Sequence, residues 1–206
     1  MIDADRPLLF LDVDGPLIPF GDPPPGGYPT YRSPYVRPGA AMGGNPLIAR
    51  VDPELGPRLL SLPCWPVWAT TWLEDANECL APWLGLPRLP VVDWPVDDAD
   101  DTDDAGAVEA VKAVTAVNAV EATDTKDRMD ITNRPDGPDR VHWKTRTLVA
   151  WANGRPFAWV DDEITEPDRR WVAAHSPARA LLHWVDPRRG LTEADFTALD
   201  AWLRAA

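Results

Sequence analysis

The sequence has few cysteines, no leader-like segment at its start and no long apolar run. Only two of its 206 residues are cysteines, Cys64 and Cys79, and they form neither a C-x-x-C pair nor a disulfide framework. No segment approaches the ~20 consecutive apolar residues that a membrane-spanning helix needs, and the start of the chain lacks the features of a signal peptide. We therefore expect a protein of the reducing cytoplasm that does not enter a membrane.

Basic residues are scarce too, and the resulting negative charge is unevenly distributed. The net charge is −13, but residues 93–139 hold 14 acidic and four basic residues and so carry most of it. Within this segment, residues 107–121 repeat an Ala-Val-x triplet, a period that does not keep valine on one face of a helix. We interpret 97–139 as an acidic, low-complexity surface insertion, with an acidic interaction segment as the alternative.

The rest of the chain has the composition and pattern of one globular α/β domain. A chain of 206 residues, 45% of them hydrophobic, suits a single core. Segments typical of strands alternate with helical patterns, which predicts a central parallel sheet with helices on both faces. We expect five strands, at 7–12, 65–69, 89–92, 156–160 and 179–185. We expect helices at 52–62, 73–84, 141–153, 167–175 and 192–205, the last with a capping box formed by Thr192 and Asp195.

Two carboxylates follow the first predicted strand. The apolar run 8–11 is followed by Asp12, Val13, Asp14 and Gly15, and open α/β sheets bind their ligands at the carboxyl ends of the strands. Continued strand alternation would point Asp12 and Asp14 to the same side, where they could share a metal ion or a phosphate. The alternative is a surface turn, in which Asp and Gly are common.

Polar residues also follow two other predicted strands. Thr70 and Thr71 follow the second strand along the chain, and their hydroxyls could donate hydrogen bonds to a phosphate oxygen. Asp161 and Asp162 follow the fourth. Helix capping by threonine and turn formation by aspartate are the alternatives.

One lysine stands out because the chain has only three. Lys112 and Lys126 belong to the acidic insertion, whereas Lys144 lies near the start of the predicted helix 141–153. An ammonium group is a compact charge that can contact a phosphate and a carboxylate together. The alternative is a solvated residue in the first turn of a helix.

These segments, in this order, resemble the motifs of the haloacid dehalogenase (HAD) superfamily of phosphohydrolases. The segments Val-Trp-Ala-Thr-Thr-Trp and Trp-Val-Asp-Asp-Glu also resemble the small HAD domains associated with Swiss-army-knife RNA repair proteins. Pro16 departs from the pattern, since many members carry threonine after the glycine. The resemblance implies a three-layer, Rossmann-like HAD fold with no large cap domain. Its four motifs are Asp12-Val13-Asp14-Gly15, Thr70, Lys144 and Asp161-Asp162.

The resemblance also implies a mechanism and a cofactor. Asp12 would attack phosphorus and form an aspartyl phosphate, and Asp14 would act as general acid and then as general base. Thr70 and Lys144 would bind the phosphoryl oxygens. Mg²⁺ would be held by Asp12, the backbone carbonyl of Asp14, and Asp162, with Asp161 either as a further ligand or as a residue that supports the ligands without touching the ion.

Residues 16–50 form a segment rich in proline, glycine and tyrosine. Residues 16–46 contain nine prolines and all three tyrosines of the chain, which excludes a helical cap and indicates an irregular flap. Tyr31 and Arg32 in this flap, and Arg188 after the last predicted strand, are candidate substrate contacts. Alternatively, the rings anchor the loop and the arginine belongs to a solvated turn.

An uncapped site would be open, which suits a phosphate presented on a nucleic acid end or a protein. A small phosphorylated molecule is not excluded, and the acidic insertion argues mildly against tight nucleic-acid binding. Two alternatives to a Mg²⁺-dependent phosphatase remain: a catalytically inactive HAD-fold binding or regulatory module, and a phosphotransferase. The sequence gives no oligomeric state.

Overall fold

Four parallel strands form the centre of the structure. This computed structural model describes residues 6–36, 45–94 and 140–206, all of which belong to one compact unit. The predicted insertion at 97–139 lies outside the described residues. The strands are β1 (Leu8–Leu11), β2 (Trp65–Trp68), β3 (Phe157–Asp161) and β4 (Ala180–Trp184), and they are arranged in the order β2-β1-β3-β4.

Strand β1 is an internal strand between β2 and β3, and every one of its side chains is apolar. All four are fully buried, as expected for a parallel strand covered on both faces. Leu9 and Leu11 belong to one hydrophobic cluster, and Leu8 and Phe10 belong to another on the opposite face. The sheet therefore separates two cores.

Helices cover both faces of the sheet, as the alternating pattern predicts. On the face of Leu9 lie buried residues of α1 (Leu55–Ser61), α2 (Ala81–Leu84) and α5 (Glu193–Arg204). On the face of Leu8 lie buried residues of α3 (Trp143–Ala152) and α4 (Glu166–His175). The structure thus confirms an α/β fold with a parallel sheet.

Helix α5 begins as its sequence predicts. The side chain of Thr192 and the carboxylate of Asp195 form a reciprocal capping box. A second capping box, which the sequence analysis did not identify, joins Thr165 and Asp168 at the start of α4. Both helices therefore have firmly fixed first turns.

The expected helix at 73–84 is broken into a π-helical turn, Ala76–Leu80, followed by α2. Pro82 has no backbone N–H to donate to the carbonyl four residues earlier, so the regular α-helical ladder cannot run through it. The N–H of Ala81 instead bonds to the carbonyl of Ala76, five residues earlier.

The expected fifth strand at 89–92 is not found among the described residues. This segment joins the sheet through one isolated parallel bridge, between Trp68 and Val91. Pro87 and Pro90 lack the N–H groups that a longer ladder would need. The side chain of Asn77 holds the segment instead, because it bonds to both the N–H and the carbonyl of Leu89.

The described part of the proline-rich flap contains no α-helix, and its single helical element is the 3₁₀ turn Pro46–Arg50. This turn buries Ile48, and the backbone N–H of Tyr31 bonds to the carbonyl of Ala49 at 2.7 Å. The hydroxyl of Ser33 donates to the carbonyl of Trp83 at 2.5 Å. The flap is therefore tied to the body at several points.

Among the described helices, none combines the length and the apolar character that crossing a membrane would require.

Replacing Gly56 with alanine tests how closely α1 approaches α2. A Cβ atom at this position would lie 1.8 Å from the carbonyl oxygen of Leu84. Alanine in place of glycine inside a helix normally stabilises a protein by about 1 kcal/mol, but this contact forces the two helices apart. We expect Gly56→Ala to lower the free energy of unfolding by about 2 kcal/mol in urea denaturation.

The matched control is Leu60→Ala on the exposed side of the same helix, where we expect a change of about 0.5 kcal/mol. A Gly56→Ala variant as stable as the wild type would contradict the close approach of the two helices.

Candidate active site

The carboxyl ends of three neighbouring strands bring the predicted site residues together. Leu11 at the end of β1 is in register with Trp68 of β2 and with Val160 of β3. The next residue, Asp12, donates its backbone N–H to the carbonyl of Val160 at 3.1 Å. Asp12 therefore lies directly beside Asp161, the last residue of β3.

Lys144 connects these two carboxylates. It lies in the first turn of α3 and is only 2% exposed. Its Nζ is 3.0 Å from Oδ2 of Asp12 and 2.8 Å from Oδ2 of Asp161. Burial alone would lower the pKa of Lys144, but the two carboxylates raise it above its ordinary value, so the ammonium stays charged.

Asp161 and Asp162 have different environments. Asp161 is fully buried and accepts hydrogen bonds from Lys144 and from the indole of Trp159 on Oδ2, and from the N–H of Glu163 on Oδ1. Asp162 is half-buried, and its backbone carbonyl accepts a bond from the indole of Trp184 at 2.7 Å. Both oxygens of the Asp161 carboxylate therefore accept hydrogen bonds from protein donors.

Gly15 allows the chain after β1 to pass close to Asp162. Its φ is +82°, a conformation that favours glycine, and a Cβ atom on it would lie 2.5 Å from Cγ of Asp162. The glycine after the two aspartates is thus required by a close approach and not only by a turn.

Three carboxylates form a group that could hold a cation. Asp12, Asp161 and Asp162 each offer a ligand atom, and these atoms all lie within 4.8 Å of one another. Burial, together with the negative charge of Asp161, raises the pKa of Asp12 to about 8, although Lys144 opposes the rise. Burial also raises the pKa of Asp162, to about 7. The donor set consists of hard oxygens that share a single buried ammonium, which fits a divalent cation such as Mg²⁺.

The carboxylate of Asp14 makes a contact of its own. Because β1 ends at Leu11, strand alternation does not extend to Asp14, and Oδ2 of Asp14 accepts a hydrogen bond from the indole Nε1 of Trp72 at 2.9 Å. Burial raises the pKa of Asp14, and the bond from Trp72 opposes that rise. The sequence analysis did not identify Trp72, although it lies two residues after Thr70.

Thr70 and Thr71 differ in burial. Thr70 is fully buried at the end of β2, where its Oγ1 accepts the N–H of Trp72 at 3.3 Å and its carbonyl accepts the indole N–H of Trp94 at 3.0 Å. In this bond from Trp72 the Thr70 hydroxyl is an acceptor, and a hydroxyl that accepts can also donate its proton to a phosphate oxygen. Thr71 is exposed.

The turn after Thr70 contains a strained residue. Leu73 has a φ of +48°, a left-handed conformation that costs a non-glycine residue about 1 kcal/mol. Its side chain is 45% exposed, so burial does not explain the conformation. The turn is closed by the bond from the N–H of Asp75 to the carbonyl of Trp72 at 3.0 Å.

Asp168 fixes the helix that carries Lys144. It is fully buried and accepts bonds from the N–H of His142 at 2.6 Å and the hydroxyl of Thr145 at 2.6 Å, which belong to the start of α3. It also accepts the N–H and the hydroxyl of Thr165 at the start of α4. Thr-x-x-Asp at 165–168 is the sequence signal that could have identified it.

His142 links the start of α3 to the acidic end of β3. Its Nδ1 accepts the backbone N–H of Lys144 at 3.3 Å, and its Nε2 lies 3.0 Å from Oε2 of Glu163. This bond, more than any other effect, lowers the pKa of Glu163. His142 therefore donates from Nε2 and accepts at Nδ1.

The three candidate substrate contacts lie in other surroundings. Tyr31 is half-buried beside the 3₁₀ turn, where its backbone bonds to Ala49, and Arg32 is exposed. The guanidinium of Arg188 is bound by both oxygens of Asp186 at 3.0 and 2.9 Å. The backbone bond of Tyr31 anchors this part of the flap, and substrate contact by the three residues stays a prediction.

No family model, curated protein or solved structure matched this chain in the three comparisons made.

Replacing Gly15 with alanine tests its approach to Asp162. The new Cβ would overlap the Asp162 side chain in addition to the strain of a positive φ. We expect Gly15→Ala to lower the free energy of unfolding by about 3 kcal/mol. Gly154→Ala is the matched control, because Gly154 has a φ of +79° with nothing within 4 Å of its Cβ position.

Gly154→Ala isolates the effect of backbone strain, and we expect it to lower the free energy of unfolding by about 1 kcal/mol. Equal losses in the two variants, measured by urea denaturation, would argue against contact between Gly15 and Asp162.

Replacing Asp168 with asparagine tests the coupling of α3 to α4. The amide Nδ2 of the new asparagine would face hydrogen-bond donors and could not accept their bonds. We therefore expect the free energy of unfolding to fall by about 3 kcal/mol at pH 7. Burial alone would raise the pKa of Asp168, but the bonds from Thr145, Thr165 and His142 lower it below the ordinary 3.8. The carboxylate therefore stabilises the fold above about pH 4, and this contribution is lost as the pH falls through its folded-state pKa.

Urea denaturation from pH 7 to pH 3 should show that the difference in free energy of unfolding between wild type and Asp168→Asn becomes smaller as the pH falls. Asp195→Asn, which removes the equivalent capping box of α5 and a bond from His183 of β4, should cost less, because the Asp195 carboxylate accepts three of these bonds whereas that of Asp168 accepts four. A difference in free energy of unfolding that becomes larger as the pH falls would refute this account of Asp168.

Proposed function

We propose that the protein is a Mg²⁺-dependent phosphatase of the haloacid dehalogenase type that hydrolyses phosphate monoesters through an aspartyl phosphate on Asp12. The observation that carries the proposal is the buried contact of Lys144 with Asp12 and Asp161 at 3.0 and 2.8 Å, at the carboxyl end of a parallel sheet. Burying three ionisable groups together is expensive, and carboxyls whose pKa is perturbed in such positions are typical of catalytic sites.

Asp12 is the nucleophile in this proposal. It lies on the central strand, is 6% exposed and is held by Lys144, so its carboxylate has one orientation. Attack by a fixed carboxylate divides a difficult displacement at phosphorus into two easier steps. Lys144 offsets the charge of the phosphoryl oxygens while it keeps its contact with Asp12, and the buried hydroxyl of Thr70 donates to one of those oxygens.

Asp14 serves as general acid and then as general base. It lies outside the carboxylate group of Asp12, Asp161 and Asp162 and has its own donor, Trp72. Burial raises the pKa of Asp14, and in this proposal its carboxyl gives a proton to the leaving oxygen. Two neighbouring carboxylates with different surroundings can thus take different roles.

Mg²⁺ is the proposed cofactor. Asp12, Asp162 and the backbone carbonyl of Asp14 are its direct ligands here, while Asp161 supports the site from behind, because its oxygens already accept three protein hydrogen bonds. Bound Mg²⁺ would offset the negative charge of the carboxylates and the phosphoryl group.

The substrate is expected to be large. In the described part of the flap, the single helical element is the short turn Pro46–Arg50, so we propose that no large cap domain encloses the site. An open site suits a phosphate presented on a nucleic acid end or a protein. A screen of phosphate release from nucleotides, sugar phosphates and 5′- or 3′-phosphorylated oligonucleotides would identify the substrate class.

Replacing Asp12 with asparagine tests the function directly. The wild type should hydrolyse 4-nitrophenyl phosphate with Mg²⁺ and lose this activity in EDTA. Asp12→Asn should lower kcat/KM by more than about 10³-fold, because an amide oxygen is a poor nucleophile at phosphorus. Asp200→Asn, at an ion pair with Arg204 far along α5, is the matched control and should retain full activity.

Turnover by Asp12→Asn at the wild-type rate would refute the nucleophile. Absence of any Mg²⁺-dependent turnover in the wild type, across the substrate screen, would favour a binding module. Transfer of the phosphoryl group to an added alcohol faster than to water would indicate a phosphotransferase.

A further inference from the structure

We propose that Trp72 is a positioning residue that holds Asp14 in the orientation needed to protonate the leaving group. This inference rests on the proposed function, in which Asp14 is the general acid. Its basis is the bond from the indole Nε1 of Trp72 to Oδ2 of Asp14, 2.9 Å long, which joins the end of β1 to the turn after β2.

The indole is itself firmly held. The ring of Trp72 is half-buried and packs against the core on the Leu9 face of the sheet. Its backbone N–H bonds to Oγ1 of Thr70, and its carbonyl accepts the N–H of Asp75. The left-handed Leu73 follows at once. A strained residue kept at an exposed position is a feature of sites where geometry serves function.

The chemistry of the indole determines which oxygen of Asp14 carries the proton. An indole N–H can donate a hydrogen bond but cannot accept one. Oδ2 of Asp14 is therefore the acceptor, and Oδ1 is the oxygen that carries the acidic proton. A carboxyl group without this partner could rotate and present either oxygen, so the bond removes an orientation that would be unproductive.

The proposed step balances as follows. As the bond from the Asp12 carboxylate oxygen to phosphorus forms, the bond from phosphorus to the leaving oxygen breaks, and the proton on Oδ1 of Asp14 moves to that oxygen. The alcohol departs neutral and Asp14 becomes a carboxylate. The same carboxylate later takes a proton from the water that hydrolyses the aspartyl phosphate. Trp72 remains a donor to Oδ2 throughout.

The competing explanation is that Asp14 merely satisfies a half-buried indole, which usually finds an acceptor. Loss of a purely structural bond would lower the free energy of unfolding, or would change kcat/KM by the same factor for all substrates. A bond that positions a general acid should matter most when the leaving group needs a proton. The dependence of the rate on the leaving group therefore separates the two explanations.

The experiment compares Trp72→Phe with wild type on two phosphate monoesters in the presence of Mg²⁺. Propyl phosphate has a leaving group that must be protonated, whereas 4-nitrophenolate leaves without help. Because kcat/KM reports the steps up to departure of the alcohol, we expect a loss of about ten- to hundredfold for propyl phosphate. We expect a change of less than about threefold for 4-nitrophenyl phosphate.

Trp83→Phe is the matched control. It removes an indole N–H that donates to the carbonyl of Val51 at 2.9 Å, so it loses a bond of the same kind at a place away from the site. We expect both esters to be hydrolysed as by the wild type. Urea denaturation of both variants would verify that each one is folded.

A double-mutant cycle provides the second measurement. In an Asp14→Ala background, the additional Trp72→Phe change should not lower kcat/KM for propyl phosphate further, because the group that it positions is gone. Independent losses in the two variants would overturn the proposal. Equal losses on both esters in Trp72→Phe, or no loss on either, would also overturn it.

Different results would contradict the role of Trp72 and the phosphatase proposal. If the wild type is active, Asp12→Asn is inactive and Trp72→Phe matches the wild type on both esters, only the role of Trp72 is wrong. If the wild type hydrolyses neither ester nor any compound of the phosphate-release screen, the phosphatase proposal fails and the role of Trp72 fails with it.

Discussion

The contact between Lys144 and two carboxylates is the constraint on which the rest of the site depends. One ammonium that is 2% exposed lies between Asp12, which is 6% exposed, and Asp161, which is fully buried. Each charge is tolerable there only because of the others, since removal of one partner from a buried ion pair costs about 3–5 kcal/mol. The end of β1, the end of β3 and the start of α3 must therefore stay together.

The topology brings these three elements together although β1 is far from α3 and β3 along the chain. After β1 the chain forms β2 on one side of it, and β3 later pairs with the other side. Helix α1, between β1 and β2, packs on one face of the sheet, whereas α3, before β3, packs on the other. The order of the strands thus reverses at β1, and such a switch point opens a crevice at the carboxyl ends.

The first turn of α3 needs a further restraint, since a lysine at a helix start has a long and flexible side chain. Asp168 supplies that restraint by accepting bonds from both His142 and Thr145 while it caps α4. His142 adds a second link through Glu163. The position of the Lys144 ammonium is thus determined from two sides, by the helix start and by the carboxylates that it contacts.

Features with a local cause could be predicted from the sequence, and features that depend on distant partners could not. The buried run before Asp12, the capping box of Thr192 and the isolated Lys144 all have signals within a few residues. The difference between Asp161 and Asp162 does not, because it arises from Trp159, Lys144 and the approach of Gly15. The course of 89–92 likewise depends on a partner outside the segment, because the side chain of Asn77 bonds to both backbone groups of Leu89.

Asp12 and Asp14 show most clearly how two residues of the same type come to have different surroundings. They are two positions apart, and continued strand alternation would place them together, but the strand ends before Asp12. Asp12 then contacts an ammonium and Asp14 contacts an indole. Burial raises the pKa of both carboxyls, and the main opposition to this rise is the ammonium of Lys144 at Asp12 and the neutral indole of Trp72 at Asp14. The different surroundings of the two carboxylates therefore originate in where β1 stops, because beyond that point each side chain meets a partner of different charge.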